Sequence, residues 1–595
     1  MAQEETVEGS EYAEKETPEA ESEEHGGNAK KMRVDAARAA EVRRLFYRAR
    51  DHRRKILDRW VDNYEITHNR VWQQNRQAWI PSPKVAEIWP TINALVAWET
   101  DVQPTFDVVP LADPNGQYSG QLSQIASDLR TCLRAAWFQN NFDGEIQKIL
   151  WDGKVYGTGI SKVVWDSSLV DGMGDVKLRR VDPFWFYPDP DSTDMRDGRF
   201  FIEVYELSGD ELDSRFPGAC EMVGGGAGED FDRSPNLLDS GVGSRPPKAN
   251  PGVIAGTGGG MEYGLPGQGR ARYKDIDSHT YFVVEAWTKD EENEWHVSIV
   301  AGNVVLLDAP ATDLWGHGQH PYDRYVPIET GEFWGMALVE FLAPIQKSIN
   351  RLLSAMEHNI WLAGNPVLLE DSRSGLQRTR ITNKPGQRLT VNAGTRVEWM
   401  NPPQIQPAMA MQLVNFYVGE IERISGLSAI VRGATPTGRN AQGVLDAVQE
   451  AAFVRTRLAL RNLEYTLKGA GSKAAALIAE FYDVPRVIAL AGPTGQATVT
   501  SLNGKHFYVP TAEGIIPLRF QLQVQAGSSI TTSRAARQAQ ADQLFAMGAI
   551  DEEAVLSAHD FPNWPMIVDR VREMKAANGT LGQPPGARAA SGRMS

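Results

Sequence analysis

The chain has 595 residues, too many for one hydrophobic core, so it is expected to fold as several structural units. Its formal net charge of −15 argues against a module that grips DNA over its whole surface, although it suits a surface past which DNA slides. The two cysteines exclude a disulfide framework and a four-thiolate zinc site, and they favour a reducing, intracellular compartment.

The first predicted elements are an acidic leader and a basic helix. Ten glutamates fall within the first 24 residues, so residues 1–30 are predicted to be disordered, and this acidic start does not fit a signal peptide. The arginine-rich stretch 32–64 predicts a helix with two interpretations. One is an arm that touches DNA or a capsid partner. The other, which we favour, is a solvated helix face with an interface to neighbouring copies.

Residues 72–335 mix strand and helix patterns. The aromatic run 181–190 is typical of a buried strand that ends in a turn. The glycine-rich stretch 218–269 predicts a flexible surface insertion, and its glycines do not fit a nucleotide-binding loop. The longest uncharged runs of the chain are too polar for a membrane span, so no membrane contact is expected. Strands are predicted at 106–109, 160–165, 280–288 and 296–307, and a helix at 121–138.

The middle of the chain predicts two helices joined by a small β-containing module. Apolar residues three and four positions apart predict an amphipathic helix over 336–363, with a kink or a helix start near Pro344. A second helix is predicted over 407–424. Two helices that leave and return side by side would make a stalk with a tip. Strands of the module are predicted at 366–370, 387–392 and 396–400, between turn signals.

A glycine-rich break and a long helix follow. The break, 425–443, leads into a predicted helix over 444–483, with an interruption and a kink at its Gly and Ser residues 469–472. Beyond it we predict strands over 486–525, helices over 531–547 and 551–575, and a disordered tail.

Motifs of enzymes are missing from the sequence. It contains no GxxxxGK[ST] phosphate loop, no HExxH, no CxxC and no GxSxG, and its ten histidines show no metal-ligand spacing. Asp189, Asp191 and Asp194 are more typical of turns than of a metal site. We therefore predict no catalytic site, no metal and no cofactor.

Several short motifs resemble, in their order, those of bacteriophage portal (head–tail connector) proteins, closest in pattern to the portals of short-tailed phages. Residues 156–161 and 181–190 are similar to a strand–turn–strand of the portal wing. Residues 335–354 are similar to the first stem helix, and 425–443 to the tunnel loop and its hinge into the long inner helix. Residues 525–529 and 544–551 are similar to the passage from wing to crown.

The resemblance implies an α+β, multidomain fold. Its parts are a mixed α/β wing, a helical stem with a small α/β clip, a long kinked inner helix and a short helical C-terminal crown. The division is leader 1–30, wing 31–335 with the insertion 218–269, stem helices 336–363 and 407–424, clip 364–406, tunnel loop 425–443, wing helix and strands 444–525, crown 526–577 and tail 578–595.

The resemblance also implies a function. Usually twelve such subunits form a ring at one capsid vertex, and double-stranded DNA is packaged and ejected through its channel. Terminase docks on the ring first, and the head-completion (adaptor) proteins dock on it later. The ring also contacts major capsid and scaffolding proteins. It is expected in the virion and, during assembly, in the host cytoplasm. Two alternatives remain: another virion structural protein, such as a tail or capsid subunit, and a metal-dependent DNA-processing enzyme.

Two groups of candidate site residues follow. The tunnel loop is predicted to contact DNA through basic and apolar residues: Ile430, Val431, Arg432, Thr437 and Arg439. Alternatively, its two arginines form salt bridges to a neighbouring subunit. The clip offers charges near turns, where binding residues often collect. They contact terminase and adaptor proteins or, alternatively, the neighbouring clip; the residues are Glu370, Asp371, Arg373, Arg378 and Arg380.

Overall fold

The structure is a computed structural model in which helices and sheets mix, as the predicted α+β class requires. It describes residues 32–70, 72, 80–100, 105–110, 119–223, 280–365, 367–376, 390–400, 406–427, 441–482, 486–491, 497–502, 507–511, 514–517, 520–525, 534–548, 550, 555–556 and 559. The predicted leader and tail, most of the insertion 218–269 and most of the second crown helix lie outside these residues.

The helices vary from one turn to more than ten. They are α1 (Ala36–Thr67), α2 (Ile88–Glu99), α3 (Ser119–Gln139), α4 (Phe142–Tyr156), α5 (Gly209–Arg215), α6 (Ala219–Val223), α7 (Ala311–Leu314), α8 (Leu338–Gly364), α9 (Pro407–Ser425), α10 (Ala441–Phe481) and α11 (Arg534–Ala546). A 3-10 turn at Pro183–Trp185 separates two strands.

The strands pair antiparallel. They are β1 (Arg33–Val34), β2 (Thr105–Pro110), β3 (Gly159–Asp166), β4 (Asp175–Val181), β5 (Phe186–Pro188), β6 (Phe200–Ser208), β7 (Thr280–Lys289), β8 (Trp295–Ala301), β9 (Val304–Pro310), β10 (Tyr322–Tyr325), β11 (Val367–Glu370), β12 (Val397–Met400), β13 (Arg486–Ala491), β14 (Ala497–Leu502), β15 (Tyr508–Thr511), β16 (Gly514–Pro517) and β17 (Phe520–Gln525). One sheet has six strands in the order β1-β9-β8-β7-β6-β5, another has three in the order β10-β3-β4, and the other strands form pairs: β11-β12, β13-β14, β15-β16 and β17-β2.

The six-stranded sheet is buried on both faces. Side chains alternate along β6, so Phe201 and Tyr205 enter the main core while Phe200, Ile202 and Val204 enter a second, smaller core. The first half of α1 covers that second core, and its second half packs into the main core. A strand buried on both faces has a nearly continuous apolar sequence, and β6 to β9 show this pattern apart from a few charged residues such as Glu203 and Glu285.

A fully buried ionic cluster joins this sheet to the three-stranded one. Glu203 and Glu285 are direct cross-strand neighbours on β6 and β7, an arrangement of like charges that destabilises a sheet by itself. The Lys162 ammonium group, carried by β3, lies 2.7 Å from Glu203 Oε2 and 2.8 Å from Glu285 Oε1. Burial opposes ionisation, yet the charges of Lys162 and Arg179 hold the pKa of Glu203 below its usual value. Ionic contacts as well as apolar packing therefore fix the position of one sheet relative to the other.

The predicted interruption of the long helix is wrong. Helix α10 runs without a break through residues 469–472. Its glycines allow close approach of other elements: a Cβ atom at Gly469 would collide with the Asp323 carboxylate, and one at Gly471 would lie 2.5 Å from Leu522 Cδ2. Side chains of α10 also hold β10 directly. Asn462 Nδ2 donates to Val326 O at 2.8 Å, and Thr466 Oγ1 donates to Arg324 O at 2.7 Å.

Other elements match the sequence predictions closely, with local corrections. The strands predicted at 106–109, 160–165 and 280–288 and the helix at 121–138 are confirmed within two residues. The stretch 296–307 forms two strands, because Gly302 turns the chain with a φ of 58°. The strand predicted at 387–392 is wrong for Thr390, Val391 and Asn392, while 387–389 lie outside the described residues. Residues 219–223, assigned to the flexible insertion, are helical.

The prediction of a solvated basic helix at 32–64 is also partly wrong. Arg53 of α1 is 2% exposed, and its Nη1 donates to Phe184 O at 2.5 Å and to Phe186 O at 3.2 Å. Its guanidinium also lies over the Tyr187 ring, 3.9 Å from the centroid. This arginine fixes the aromatic segment between β4 and β6 instead of facing solvent.

Candidate assembly surface

Helices α8 and α9 form an antiparallel hairpin, with the β11-β12 ribbon between them in the chain. The predicted bounds of both helices are confirmed within two residues, and α8 continues through Pro344, which occupies its second turn. Pro344 lacks the N–H that would donate to the Glu340 carbonyl, so the helix loses one of its hydrogen bonds there. We call α8, α9 and this ribbon the hairpin, and the two larger sheets with the helices around the main core the body.

The base of the hairpin belongs to the body. Val339, Leu342 and Ile349 are fully buried in the main core. Polar side chains on the same face of α8 bind an extended segment, residues 81–87, which we call the strap. Gln346 Oε1 accepts from Glu87 N at 3.0 Å and Gln346 Nε2 donates to Val85 O at 2.7 Å.

The strap contacts continue along α8 at one-turn spacing. Asn350 Oδ1 accepts from Val85 N at 3.2 Å, and Ser354 Oγ donates to Pro81 O at 2.7 Å. Gln346, Asn350 and Ser354 are all buried. Because residues four positions apart lie on one helix face, these three side chains can all bind the backbone of the strap, as a neighbouring strand would in a sheet. They orient α8 relative to the body.

Past Ser354 the hairpin exposes its apolar side chains. None of residues 355–364 is buried, although they belong to a strongly amphipathic helix. Large apolar side chains of the hairpin are exposed by 40% to 69%: Ile360, Trp361, Leu369, Trp399, Met409, Met411, Leu413 and Phe416. Met411 lies on the side of α9 opposite Met409 and Leu413, and Leu369 and Trp399 lie on opposite faces of the ribbon, so these side chains form more than one apolar face. Large exposed apolar patches are typical of interaction sites in soluble proteins. We call these eight residues the assembly surface.

The predicted clip residues lie partly in a turn that follows β11. Asp371 N donates to Arg396 O at 3.1 Å, and Asp371 Oδ1 accepts from Arg373 N at 3.1 Å. Ser374 Oγ donates to Glu370 Oε2 at 3.3 Å. The structure thus brings Glu370, Asp371 and Arg373 together, and the Arg373 side chain is 87% exposed. Arg378 and Arg380 lie outside the described residues.

The predicted tunnel loop also lies outside the described residues, with all of its candidates: Ile430, Val431, Arg432, Thr437 and Arg439. Its two ends are described. Helix α9 ends at Gly426, whose φ of 77° is the left-handed conformation common after a helix, and α10 begins at Ala441. The loop connects the hairpin to the longest helix of the described chain.

Two kinds of site, a metal cluster and a membrane-spanning helix, are absent from the described part of the chain. No group of three or more metal-binding side chains comes together there, and no helix there is long and apolar enough to cross a membrane. The predicted turn at Asp189–Asp194 is confirmed. Asp189 Oδ1 accepts from Asp191 N at 3.3 Å, and the Arg199 side chain donates to Asp189 Oδ2 at 2.8 Å.

Comparison with known protein families decides the assignment. The sequence profile of phage P22-like portal proteins matches residues 43–591, nearly the whole chain. The chain belongs to the phage P22-like portal protein family. The membership confirms the resemblance to portals of short-tailed phages. It favours a portal subunit over the two alternatives, a tail or capsid subunit and a DNA-processing enzyme. No curated protein matches the sequence.

Proposed function

We propose that this portal protein assembles into a closed dodecameric ring at one capsid vertex, and that double-stranded DNA enters and leaves the capsid through the ring. The assembly surface carries the proposal. Burying one large apolar side chain contributes about 1.5–3 kcal/mol, so eight such residues left in water would be a large cost. Neighbouring hairpins packed side by side would cover them.

A ring explains this surface better than a dimer does. A neighbour on each side uses two different surfaces of the hairpin, and repeated head-to-tail contacts of this kind close into a ring when the rotation allows it. Antiparallel helix pairs set side by side would then form the wall of a channel. In this arrangement the wing is the body, the stem is α8 with α9, and the clip is the turn and ribbon at 364–406.

The charge of the chain suits a channel that DNA passes without adhering. Each copy carries a formal charge of −15, and phosphate neutralisation supplies most non-specific affinity for DNA. A few basic side chains can still guide the duplex. We propose that Arg432 and Arg439 do so from the tunnel loop, with Ile430, Val431 and Thr437 at its tip. The alternative for both arginines is a salt bridge to the next subunit.

The clip is proposed as the docking site for terminase during packaging and for adaptor proteins afterwards. Its most exposed described cation, Arg373, projects from the turn after β11. Glu370, Asp371, Arg378 and Arg380 complete the set of charges. The wing would face the major capsid and scaffolding proteins while the virion assembles in the host cytoplasm.

The ring proposal is tested by solution mass and by electron micrographs viewed down the ring axis. We expect wild-type rings with a central hole. Phe416→Ser in the assembly surface should shift the population to monomers at the same protein concentration, without lowering the unfolding temperature of the monomer. Phe138→Ser is the matched control, because Phe138 is 48% exposed on α3, away from the hairpin. Monomers for the wild type at every salt concentration would overturn the proposal.

The loop and clip proposals are separated by in vitro packaging. Arg432→Ala with Arg439→Ala should leave rings intact and change DNA retention, with a weaker dependence on salt. Arg378→Glu with Arg380→Glu should leave rings intact and reduce terminase-dependent packaging. If either pair of substitutions abolishes the ring, its residues serve contacts between subunits instead.

A further inference from the structure

Helix α2 has an outward face that the portal assignment leaves unexplained. Its inward face is buried in the main core through Ile88, Ile92 and Val96. The helix contains one ionisable residue, Glu99, and that carboxylate is buried 2.6 Å from the Lys154 ammonium group. The outward face of α2 therefore carries no charge, whereas the outward face of a surface helix is usually charged or polar.

Trp89 is the largest side chain of this outward face. It is 52% exposed, and Ala97 is exposed as well. Because residues four positions apart share a helix face, Trp89, Asn93 and Ala97 form one row. By contrast, the exposed Phe138 of α3 has the Arg134 guanidinium 5.9 Å from its ring centroid. An exposed tryptophan on an uncharged face is typical of the buried centre of a protein interface.

Helix α9 of a neighbouring copy offers a complementary surface. Phe416, Gly419 and Arg423 are three and four positions apart, so they lie on one face of that helix. All three are exposed, Phe416 by 58% and the Arg423 side chain by 65%. A Cβ atom at Gly419 would meet nothing within 4 Å. The glycine is therefore the floor of an open notch between an aromatic and a cationic side chain, and we call these three residues the notch.

The row on α2 and the notch lie on different sides of α8 and at similar heights. The strap, which leads into α2, binds the face of α8 that carries Gln346, Asn350 and Ser354, so α9 contacts another side of α8. Gln346, which binds Glu87 just before α2, lies roughly 27 Å from the tip end of α8, and Arg423 lies roughly 24 Å from the tip end of α9. Copies in a closed ring are related by rotation, so surfaces at equal heights on two sides of a subunit meet.

We propose that Trp89 of one copy inserts into the notch of the next copy, between Phe416 and Arg423. This contact rests on the proposed ring, and it names the part of the body that covers the assembly surface at Phe416. The indole leaves water and packs on the Phe416 ring. The Arg423 guanidinium stacks on the indole while it keeps its hydrogen bonds to Glu420, at 2.9 and 2.6 Å.

Photo-cross-linking of the assembled full-length protein tests the contact. A benzophenone amino acid in place of Trp89 should join peptides of α9, and in a mixture of isotope-labelled and unlabelled chains some joined pairs should carry both isotopes. The same group in place of Phe138 is the control and should not join α9. Joining within one chain only, joining to another part of the neighbouring copy, or no joining in intact rings would overturn the proposal. Failure of the unsubstituted protein to form rings would overturn the proposed function instead.

A double-mutant cycle gives a second test. Trp89→Ala should raise the protein concentration at which half of the chains form rings at least roughly tenfold, as expected for an aromatic side chain at the centre of an interface. Phe138→Ala is the matched control and should change this concentration by no more than about twofold. The unfolding temperature of each monomer shows whether the variant still folds.

In the presence of Phe416→Ala, Trp89→Ala should have a much smaller effect on ring formation, because the effects of residues in contact do not add. Fully additive effects of the two substitutions would show that these side chains do not touch, and the proposal would then fail.

Discussion

The body and the hairpin solve the problem of burial in opposite ways. In the body, strands β3 and β6 are almost wholly buried, and even charged groups such as Lys162 and Glu203 are paired inside it. In the hairpin, tryptophan and phenylalanine side chains remain in solvent. The described part of the body thus buries its large side chains within one chain, whereas the hairpin leaves large apolar side chains exposed, which we propose are covered by neighbouring copies.

The largest loss of stability is expected from removing one charged residue of the body, compared with one of the hairpin. Lys162→Met leaves Glu203 and Glu285 buried without their cation, so we expect it to cost about 3–5 kcal/mol. Arg423→Met in the hairpin breaks a pair with Glu420 at 2.6 Å in which the arginine is 65% exposed, and it should lower stability far less, because water screens an exposed ion pair. Urea unfolding of the monomer measures both.

Adding Glu203→Gln and Glu285→Gln to Lys162→Met should recover part of the loss, because it removes the unpaired charges. Equal costs for Lys162→Met and Arg423→Met would contradict the contrast between the two regions.

A smaller effect is expected from alanine at two helical glycines. Gly469→Ala in the body forces a methyl group against the Asp323 carboxylate and should destabilise by about 1–3 kcal/mol. Gly419→Ala in the hairpin meets no atom within 4 Å and should stabilise the monomer by up to about 1 kcal/mol through helix propensity. The unfolding temperatures of the monomers give both signs. If Gly419→Ala also blocks rings, the neighbouring copy packs at that glycine.

The smallest effect is a difference in pH dependence. Burial raises the pKa of Asp323 to about 6, against the opposing charge of Lys473. A raised folded-state pKa contributes stability that is fully present below about pH 4 and is lost as pH rises through about 6. The destabilisation by Asp323→Asn should therefore be larger at about pH 4.5 than at about pH 7.

The hairpin offers the control of opposite sign. The hydrogen bond from Arg423 lowers the pKa of Glu420, so any contribution of this carboxylate is present above its ordinary pKa and is lost as pH falls. Glu420→Gln should thus matter slightly more at about pH 7 than at about pH 4.5. The same sign for both variants in urea unfolding would show that Asp323 is not desolvated.

The sequence predicted the elements of both regions better than it predicted what joins them. The bounds of α8, α9 and β3 follow from apolar spacing, because each buries a regular stripe or alternates along a strand. Gln346, Asn350, Asn462 and Thr466 were missed, since counting apolar residues ignores polar ones at core-facing positions. A signal was present: each lies on the buried face of an amphipathic pattern, where an uncompensated polar group would be costly.

Two other errors have the same origin in tertiary contact. The glycines near 470 suggested a kink, but in α10 they provide room for β10 and β17, which no local pattern reveals. Glu203 and Glu285 alternate with aromatic residues on their strands, so their inward direction was predictable. Their shared partner, Lys162, lies on a strand of another sheet, and only the fold brings it there. The sequence predicted helices α8 and α9, but it did not predict the assembly surface, because a sequence does not say which part of an apolar stripe its own chain covers.

The strap gives the portal a mechanical property. Its hydrogen bonds to Gln346, Asn350 and Ser354 lie in a row along the axis of α8. A pull along that axis loads all of these bonds in shear, so they must rupture together. A pull at right angles would open them one at a time. We therefore expect the hairpin to resist force along the axis of α8 better than force across it.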